Sequence, residues 1–205
     1  MDEKFWEKIN TLGENGEFDK IVREIKKLPE DKLDIEIINV LGRAYMNLGD
    51  YENALDTYLS YIGKAKEDVT NVDIWLYSEC GWLCNEVGDY EQGLKYLLEA
   101  EKLGRDDEWL NTEIGQCLGR LERYEEAIKV LLESRQISLD EEDVVDGEDF
   151  ELAYCYIGIG DKDNAQKYLD SARDSVTKRG TLNDYMKEKI EEIEKGILSL
   201  NQFLN

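Results

Sequence analysis

The chain of 205 residues contains 48 acidic and 25 basic residues, no histidine and a formal net charge of −23. Such a charge repels phosphate backbones and anionic lipid surfaces, so we expect neither nucleic acid nor a membrane as a partner. The lack of histidine removes the commonest general base and metal ligand, and no apolar run approaches the roughly 18 residues that a membrane span requires.

The N-terminal segment resembles neither a secretion signal nor an anchor. Its first residues, Met1 to Lys4, carry mixed charge and precede no apolar stretch, which predicts a cytoplasmic protein. The next residues, Gly16, Phe18, Ile21 and Ile25, have helical spacing and predict the second half of a helical hairpin.

Residues 35–68 contain the clearest pattern of the chain. Apolar residues three and four positions apart predict two amphipathic helices on either side of Gly49-Asp50. Gly49 can adopt the left-handed backbone conformation that closes the first helix, and Asp50 can cap the second. The positions that define the pattern are Leu41-Gly42, Tyr45, Gly49-Asp50-Tyr51, Ala54 and Tyr58.

The same spacing returns three more times. It is found at Cys80-Gly81, Cys84, Gly88-Asp89-Tyr90, Gly93 and Leu97; at Ile114-Gly115, Leu118, Glu122-Arg123-Tyr124, Ala127 and Leu131; and at Ala153, Tyr156, Gly160-Asp161, Ala165 and Leu169. A unit of this length cannot bury its apolar face alone, so successive units must stack. The sequence therefore predicts an all-α solenoid of antiparallel helix hairpins.

The pattern Leu-Gly-x-x-Tyr, followed by Gly-Asp-Tyr and a small residue, resembles the tetratricopeptide repeat. The resemblance implies a right-handed α-α superhelix in which small residues such as Gly42 allow close helix approach and Tyr58 fills the core. It also implies one domain over 1–205 with a capping helix at 182–200. The repeats fall at 2–34, 35–68, 74–107, 108–141 and 146–179.

An acid-rich insertion at 139–149 precedes the last repeat. We interpret it as a solvated acidic loop, with weak Ca²⁺ binding as the alternative, although the Asp-x-Asp-x-Asp-Gly spacing of a calcium loop is missing. Whether it gates a groove stays open. Its acidic residues are Asp140, Glu141, Glu142, Asp143, Asp146, Glu148 and Asp149.

The four cysteines, Cys80, Cys84, Cys117 and Cys155, lie inside the periodic helical segments. We expect reduced core residues. Cys80 and Cys84 share one helix face, but a structural zinc site needs four ligands and the chain offers no histidine to complete one. No metal or cofactor is therefore expected.

The resemblance also assigns residues of the first helix of each repeat, helix A, to a concave groove. All four tryptophans fall on that side, together with Tyr154 and Phe150. The alternative for Trp75, Trp109 and Trp82 is that their rings pack between adjacent helices A and serve only packing. The full predicted groove consists of Trp6, Asn39, Arg43, Asn47, Trp75, Ser78, Glu79, Trp82, Glu86, Trp109, Thr112, Glu113, Gln116, Arg120 and Tyr154.

These residues indicate binding and not catalysis. No phosphate-binding loop, nucleophile elbow or His-Glu-x-x-His motif is present. Glu79 and Glu113 would repel the carboxylate that chaperone-binding members of the family hold. We predict a non-enzymatic adaptor whose partner is a protein or peptide with apolar and basic residues. Self-association as a homodimer is the alternative, and a small-ligand or enzymatic role ranks last.

Overall fold

The computed structural model describes residues 1–65, 74–140 and 146–203, which form α-helices joined by short turns. Within these ranges there is no β-strand, and the predicted all-α class of helix hairpins is confirmed. The helices are α1 Glu3–Glu14, α2 Phe18–Ile25, α3 Ile35–Asn47, α4 Tyr51–Ala65, α5 Ile74–Glu86, α6 Tyr90–Lys102, α7 Glu108–Arg120, α8 Tyr124–Asp140, α9 Asp146–Gly158, α10 Lys162–Arg179 and α11 Asp184–Phe203.

The turns inside the hairpins follow from their residues. Gly49 has φ 72°, and the Asp50 carboxylate accepts a hydrogen bond from the Asn53 backbone N–H at 3.3 Å, so both predicted roles are confirmed. In the α7–α8 turn the left-handed position is held by Glu122, with φ 59°. Because Glu122 has a side chain, this conformation is strained there and unstrained at Gly49.

The first of two compact units comprises Met1–Asp89. Its helices pack in chain order, α1 on α2, α2 on α3, α3 on α4 and α4 on α5. Fully buried side chains at the centre include Ile37, Tyr58, Leu76 and Leu83. Their burial supplies the apolar area that stabilises the stacked hairpins.

The second unit comprises Tyr90–Asn205. Here α7, α9 and α11 lie side by side, α8 packs between α7 and α9, and α10 packs on α9 and α11. Its fully buried residues are Leu97, Leu110, Leu131, Leu152, Leu169 and Val176. The last helix, α11, lies where the capping helix is predicted, and the single-domain assignment stays a prediction.

No helix in the described part of the chain combines the length and the apolarity needed to cross a lipid bilayer. The cytoplasmic location stays a prediction.

Candidate functional site

Two of the predicted groove tryptophans lie in the first unit and pack against the preceding hairpin. The Trp75 ring meets the Tyr58 ring edge-on at 6.0 Å, and the Trp82 ring meets the Tyr51 ring edge-on at 5.6 Å. Both indole rings are half-buried. The rings therefore contribute to packing and retain partly exposed surface.

The polar residues of α3 stand beside these rings. The Arg43 guanidinium lies over the Trp75 ring, 5.6 Å from its centroid, and the Asn47 amide donates to the Arg43 carbonyl at 2.8 Å. Asn39 is half-buried, and its Oδ1 is inaccessible to solvent with no hydrogen-bond donor among the described residues. A buried acceptor without a donor is costly, and its burial keeps Asn39 Oδ1 out of reach of a ligand N–H.

A cavity of about 410 Å³ opens beside these residues, between α1 and α3. The buried side chains of Ile9, Ile21 and Ala44 form its floor. Its rim carries Asn10, Arg43 and Asn47, all exposed. Because α1 and α3 are the first helices of their hairpins, the cavity lies on the side where the groove is predicted. We call this surface of the first unit the helix-A face.

Two residues expected to face the groove are buried instead. Ser78 has no exposed surface, and its hydroxyl donates to the Ile74 carbonyl one turn earlier at 3.2 Å. Phe150 is only 3% exposed and lies under the Lys189 ammonium. Trp6, by contrast, is half-buried against the Phe5 ring at 5.5 Å. Neither Ser78 nor Phe150 is available to a ligand in this structure.

The remaining residues of the first unit keep part of their surface. Glu79 is half-buried and Glu86 is exposed. Both are placed on α5, so acidic groups accompany Trp82 as the sequence predicts.

The predicted groove residues of α7 belong to the second unit. Trp109 is half-buried under the Arg105 guanidinium, 4.5 Å from the ring centroid. The Thr112 hydroxyl donates to the Glu108 carbonyl at 2.8 Å. Glu113 and Gln116 are half-buried. Since the tryptophans divide between the two units, a groove that continues from Trp82 to Trp109 stays a prediction.

Arg120 and Tyr154 form part of a buried charged cluster that the sequence did not indicate. The Arg120 guanidinium stacks over the Tyr154 ring at 3.9 Å, and its Nη1 lies 3.4 Å from Glu151 Oε2. The Lys189 ammonium of α11 binds Glu151 Oε1 at 2.6 Å. Glu151, 3% exposed, thereby joins α7, α9 and α11.

The charges of this cluster stabilise one another. Burial alone would raise the pKa of the Glu151 carboxyl, but attraction to Lys189 and Arg120 outweighs it and holds that pKa below its usual range. Burial alone would lower the pKa of the Lys189 ammonium, and attraction to Glu151 raises it above its usual range. The cluster therefore remains ionised at neutral pH.

The acid-rich insertion at 139–149 is not simply a solvated loop, because its last residues belong to α9, which corrects our interpretation. Asp149 is fully buried and accepts a hydrogen bond from Arg135 Nε at 2.6 Å. Glu148, 5% exposed, accepts hydrogen bonds from the hydroxyls of Ser138 at 2.8 Å and Ser134 at 3.3 Å. Both carboxylates belong to the first turn of α9, where they tie α9 to α8. Residues 141–145 lie outside the described residues.

Comparison with known proteins gives the family. Two segments match family models described as tetratricopeptide repeat, at residues 38–70 and 149–175. The chain contains tetratricopeptide repeats. No curated protein sequence matches the chain.

Solved structures agree on the fold of these tetratricopeptide repeats. A crystal structure of MamA is 18% identical, with a TM-score of 0.69 over 89% of this chain and 99% of that chain. MamA from MSR-1 is 18% identical, with a TM-score of 0.67 over 85% and 96%. A putative kinesin light chain of Podosopora anserina with TPR-like repeats is 17% identical, with a TM-score of 0.65 over 86% and 94%. Such identities establish the shared fold alone.

The cysteines occupy core positions of the tetratricopeptide repeats, as expected. All four are buried, and within the described residues no disulfide joins them. Burial raises the pKa of the Cys84 thiol to about 11 and that of Cys155 to about 12. In the same part of the chain, no group of three or more acidic or cysteine side chains is arranged to hold a metal ion.

We expect the folded protein to react negligibly with a thiol reagent such as DTNB at pH 8, because thiolates are the reactive species, all four thiols are buried, and burial raises the pKa of Cys80, Cys84 and Cys155. All four cysteines should react once urea unfolds the chain. Absorbance of the released thionitrobenzoate measures both states. Rapid labelling of the folded chain would show that a cysteine is accessible.

Proposed function

We propose that this chain is a non-catalytic scaffold that binds a segment of a partner polypeptide on its helix-A face. The cavity between α1 and α3 carries the proposal, because it combines an apolar floor with a polar rim. Its 410 Å³ volume lies in the range of ligand pockets and is large enough for a leucine or phenylalanine side chain. Repeat scaffolds generally use such inner surfaces to bind other chains.

The polar groups beside the cavity suit an extended polypeptide. An extended segment presents N–H and C=O groups that need partners once water is displaced. The Asn10 amide and the exposed Arg43 guanidinium can donate to its carbonyls, and the Asn10 amide oxygen can accept from an N–H. A partner residue that inserts into the cavity would then place its own backbone against these groups.

Charge favours a partner with some basic residues. Glu14 lines the cavity, and Glu79 and Glu86 stand on α5. In a chain of net charge −23, these groups attract a basic segment and raise its association rate. The partner we propose is therefore apolar at its anchor and basic beside it.

A pair of substitutions at Gly13 separates binding from folding. Gly13 lines the cavity from α1, and a Cβ there would meet only Ile21 Cδ1 at 3.9 Å. Gly13→Ala should raise the free energy of unfolding by about 0.5–1 kcal/mol, because Gly is unfavourable in a helix, and should preserve binding. Gly13→Leu should fill the cavity and reduce partner capture at least about tenfold without loss of helix content.

The measurement is affinity capture from cells of the source organism with wild type, Gly13→Ala and Gly13→Leu compared under the same conditions. Equal capture by all three proteins would place the binding surface elsewhere.

Self-association through the same face is the competing function, since a side chain of a second copy could occupy the cavity. Light scattering distinguishes it, because a dimer that Gly13→Leu dissociates would identify the partner as the chain itself.

A further inference from the structure

The first hairpin carries a pocket of opposite charge to the rest of the chain. It lies between α1 and α2 and has a volume of about 670 Å³. We call it the basic pocket, and its lining residues are Lys8, Leu12, Lys20, Arg23, Glu24, Lys26 and Lys27. Basic side chains dominate this lining, although acidic residues outnumber basic ones 48 to 25 in the whole chain. A local reversal of charge of this kind marks a surface for an anionic partner.

The basic groups are available because their present ion pairs are weak. Lys20 binds Glu17 at 2.7 Å and Arg23 binds Asp19 at 3.1 Å, with side chains 53% and 73% exposed. Exposed pairs of this kind contribute little to stability and exchange readily for another carboxylate. Lys26 lies 5.3 Å above the Tyr45 ring, which leaves its ammonium hydrogens for a ligand.

Glu24 is the one acidic group of the lining, and it already pairs with two of the lysines of the pocket. Its carboxylate binds Lys8 and Lys27, each at 2.6 Å. The hydrogen bonds from these two lysines hold the pKa of Glu24 at about 2, so Glu24 stays ionised at neutral pH. Glu24 therefore competes with a ligand carboxylate for Lys8 and Lys27 and adds a negative charge to the pocket.

We propose that the basic pocket binds an acidic segment of a partner polypeptide, with one apolar side chain of that segment packed against Leu12. Carboxylates of the segment pair with Lys20, Arg23 and Lys26. The apolar contact comes from Leu12 and from the methylene stems of the lysines around it. This surface differs from the cavity between α1 and α3, so the proposal does not depend on the proposed function.

The net charge of −23 favours a short acidic segment over a nucleic acid or a membrane. A polyphosphate chain or an anionic bilayer presents negative charge over a long distance and meets the acidic surface around the pocket. A short segment confines its charges to the pocket, and charges beyond about 10 Å are largely screened at 0.1 M salt.

The test uses a short labelled peptide of glutamates around one central leucine, titrated by fluorescence anisotropy. The variant Lys20→Glu with Arg23→Glu should weaken binding at least about fivefold, since two attractive groups become repulsive. The matched control is Lys187→Glu with Lys195→Glu on α11. Those lysines are also exposed, are also paired at i,i+3 and i,i+4 spacing and change the net charge equally, so the control should retain wild-type affinity.

A gain of affinity provides the second readout. Glu24→Gln removes the internal competitor and should tighten binding of the same peptide about two- to fivefold, a result that a purely structural role of these lysines does not predict. Absence of binding by the wild type, equal losses in the two double variants, or tighter binding of RNA or of phosphatidylserine vesicles would each overturn the proposal. Circular dichroism confirms that each variant keeps its helices.

Discussion

Replacement of Glu151 by Gln is expected to lower the free energy of unfolding by about 3–5 kcal/mol, because removal of one partner leaves buried charges uncompensated. Glu151 is 3% exposed and lies 2.6 Å from the Lys189 ammonium and 3.4 Å from Arg120 Nη1. Gln keeps the shape of the side chain but cannot neutralise two cations. Urea unfolding followed by circular dichroism measures the change.

The control for Glu151 is an ion pair of the same type in solvent. Asp174 binds Lys178 at 2.6 Å, and both side chains are mostly exposed. Asp174→Asn should therefore change the free energy of unfolding by less than about 1 kcal/mol. Similar small losses for both variants would show that the cluster around Glu151 is solvated in the folded protein.

Acidification should reveal the same cluster without a substitution. The pKa of Glu151 is lower in the folded state, so its contribution is fully present above the unfolded-state pKa of about 4.3 and is lost as pH falls through the folded-state pKa. The stability difference between wild type and Glu151→Gln should accordingly shrink as pH is lowered below about 4. A difference that stays constant would remove Glu151 ionisation as its cause.

The repeat pattern predicts the fold because the local residues determine it. Gly49 can adopt the left-handed backbone that ends α3, and Asp50 caps α4, so the hairpin follows from its own turn. Helical spacing then identifies Tyr58 as a core residue, and it is fully buried. The same register assigns the cysteines to the core. These features depend on neighbours in sequence and on stacking that every repeat shares.

The buried charges could be predicted only in part from the repeat register. Glu148 stands at the register position of Ile37 and Leu110, both fully buried, so the register alone places a carboxylate in the core. The acid-rich composition of this segment predicts the opposite, because charged side chains are usually exposed to solvent. The partners of Glu151 come from α7 and α11, and such pairing depends on how three helices pack. The helix-A face likewise depends on the packing of α1 on α2 and of α2 on α3.

The second large effect is expected at Gly42, where the Tyr58 ring of α4 packs directly against the backbone of α3. A Cβ at this position would lie 2.2 Å from Cζ of Tyr58. Tyr58 is fully buried and also packs against the Trp75 ring, so its ring has no free space into which to move. Gly42→Ala should therefore lower the free energy of unfolding by about 2–3 kcal/mol, although Ala is the better helix former. Urea unfolding measures the loss.

Gly63 in α4 provides the matched control, because a Cβ there meets no atom of the described residues within 4 Å. Gly63→Ala should raise the free energy of unfolding by about 0.5–1 kcal/mol. The same Gly→Ala change should therefore destabilise the protein at Gly42 and stabilise it at Gly63. Tyr58→Leu removes the ring atoms that the new methyl group strikes, and it should cost less in the Gly42→Ala background than in the wild type. Additive losses would show that Gly42 matters for another reason. A non-additive pair would identify the missing Cβ as the feature that allows this tyrosine into the core.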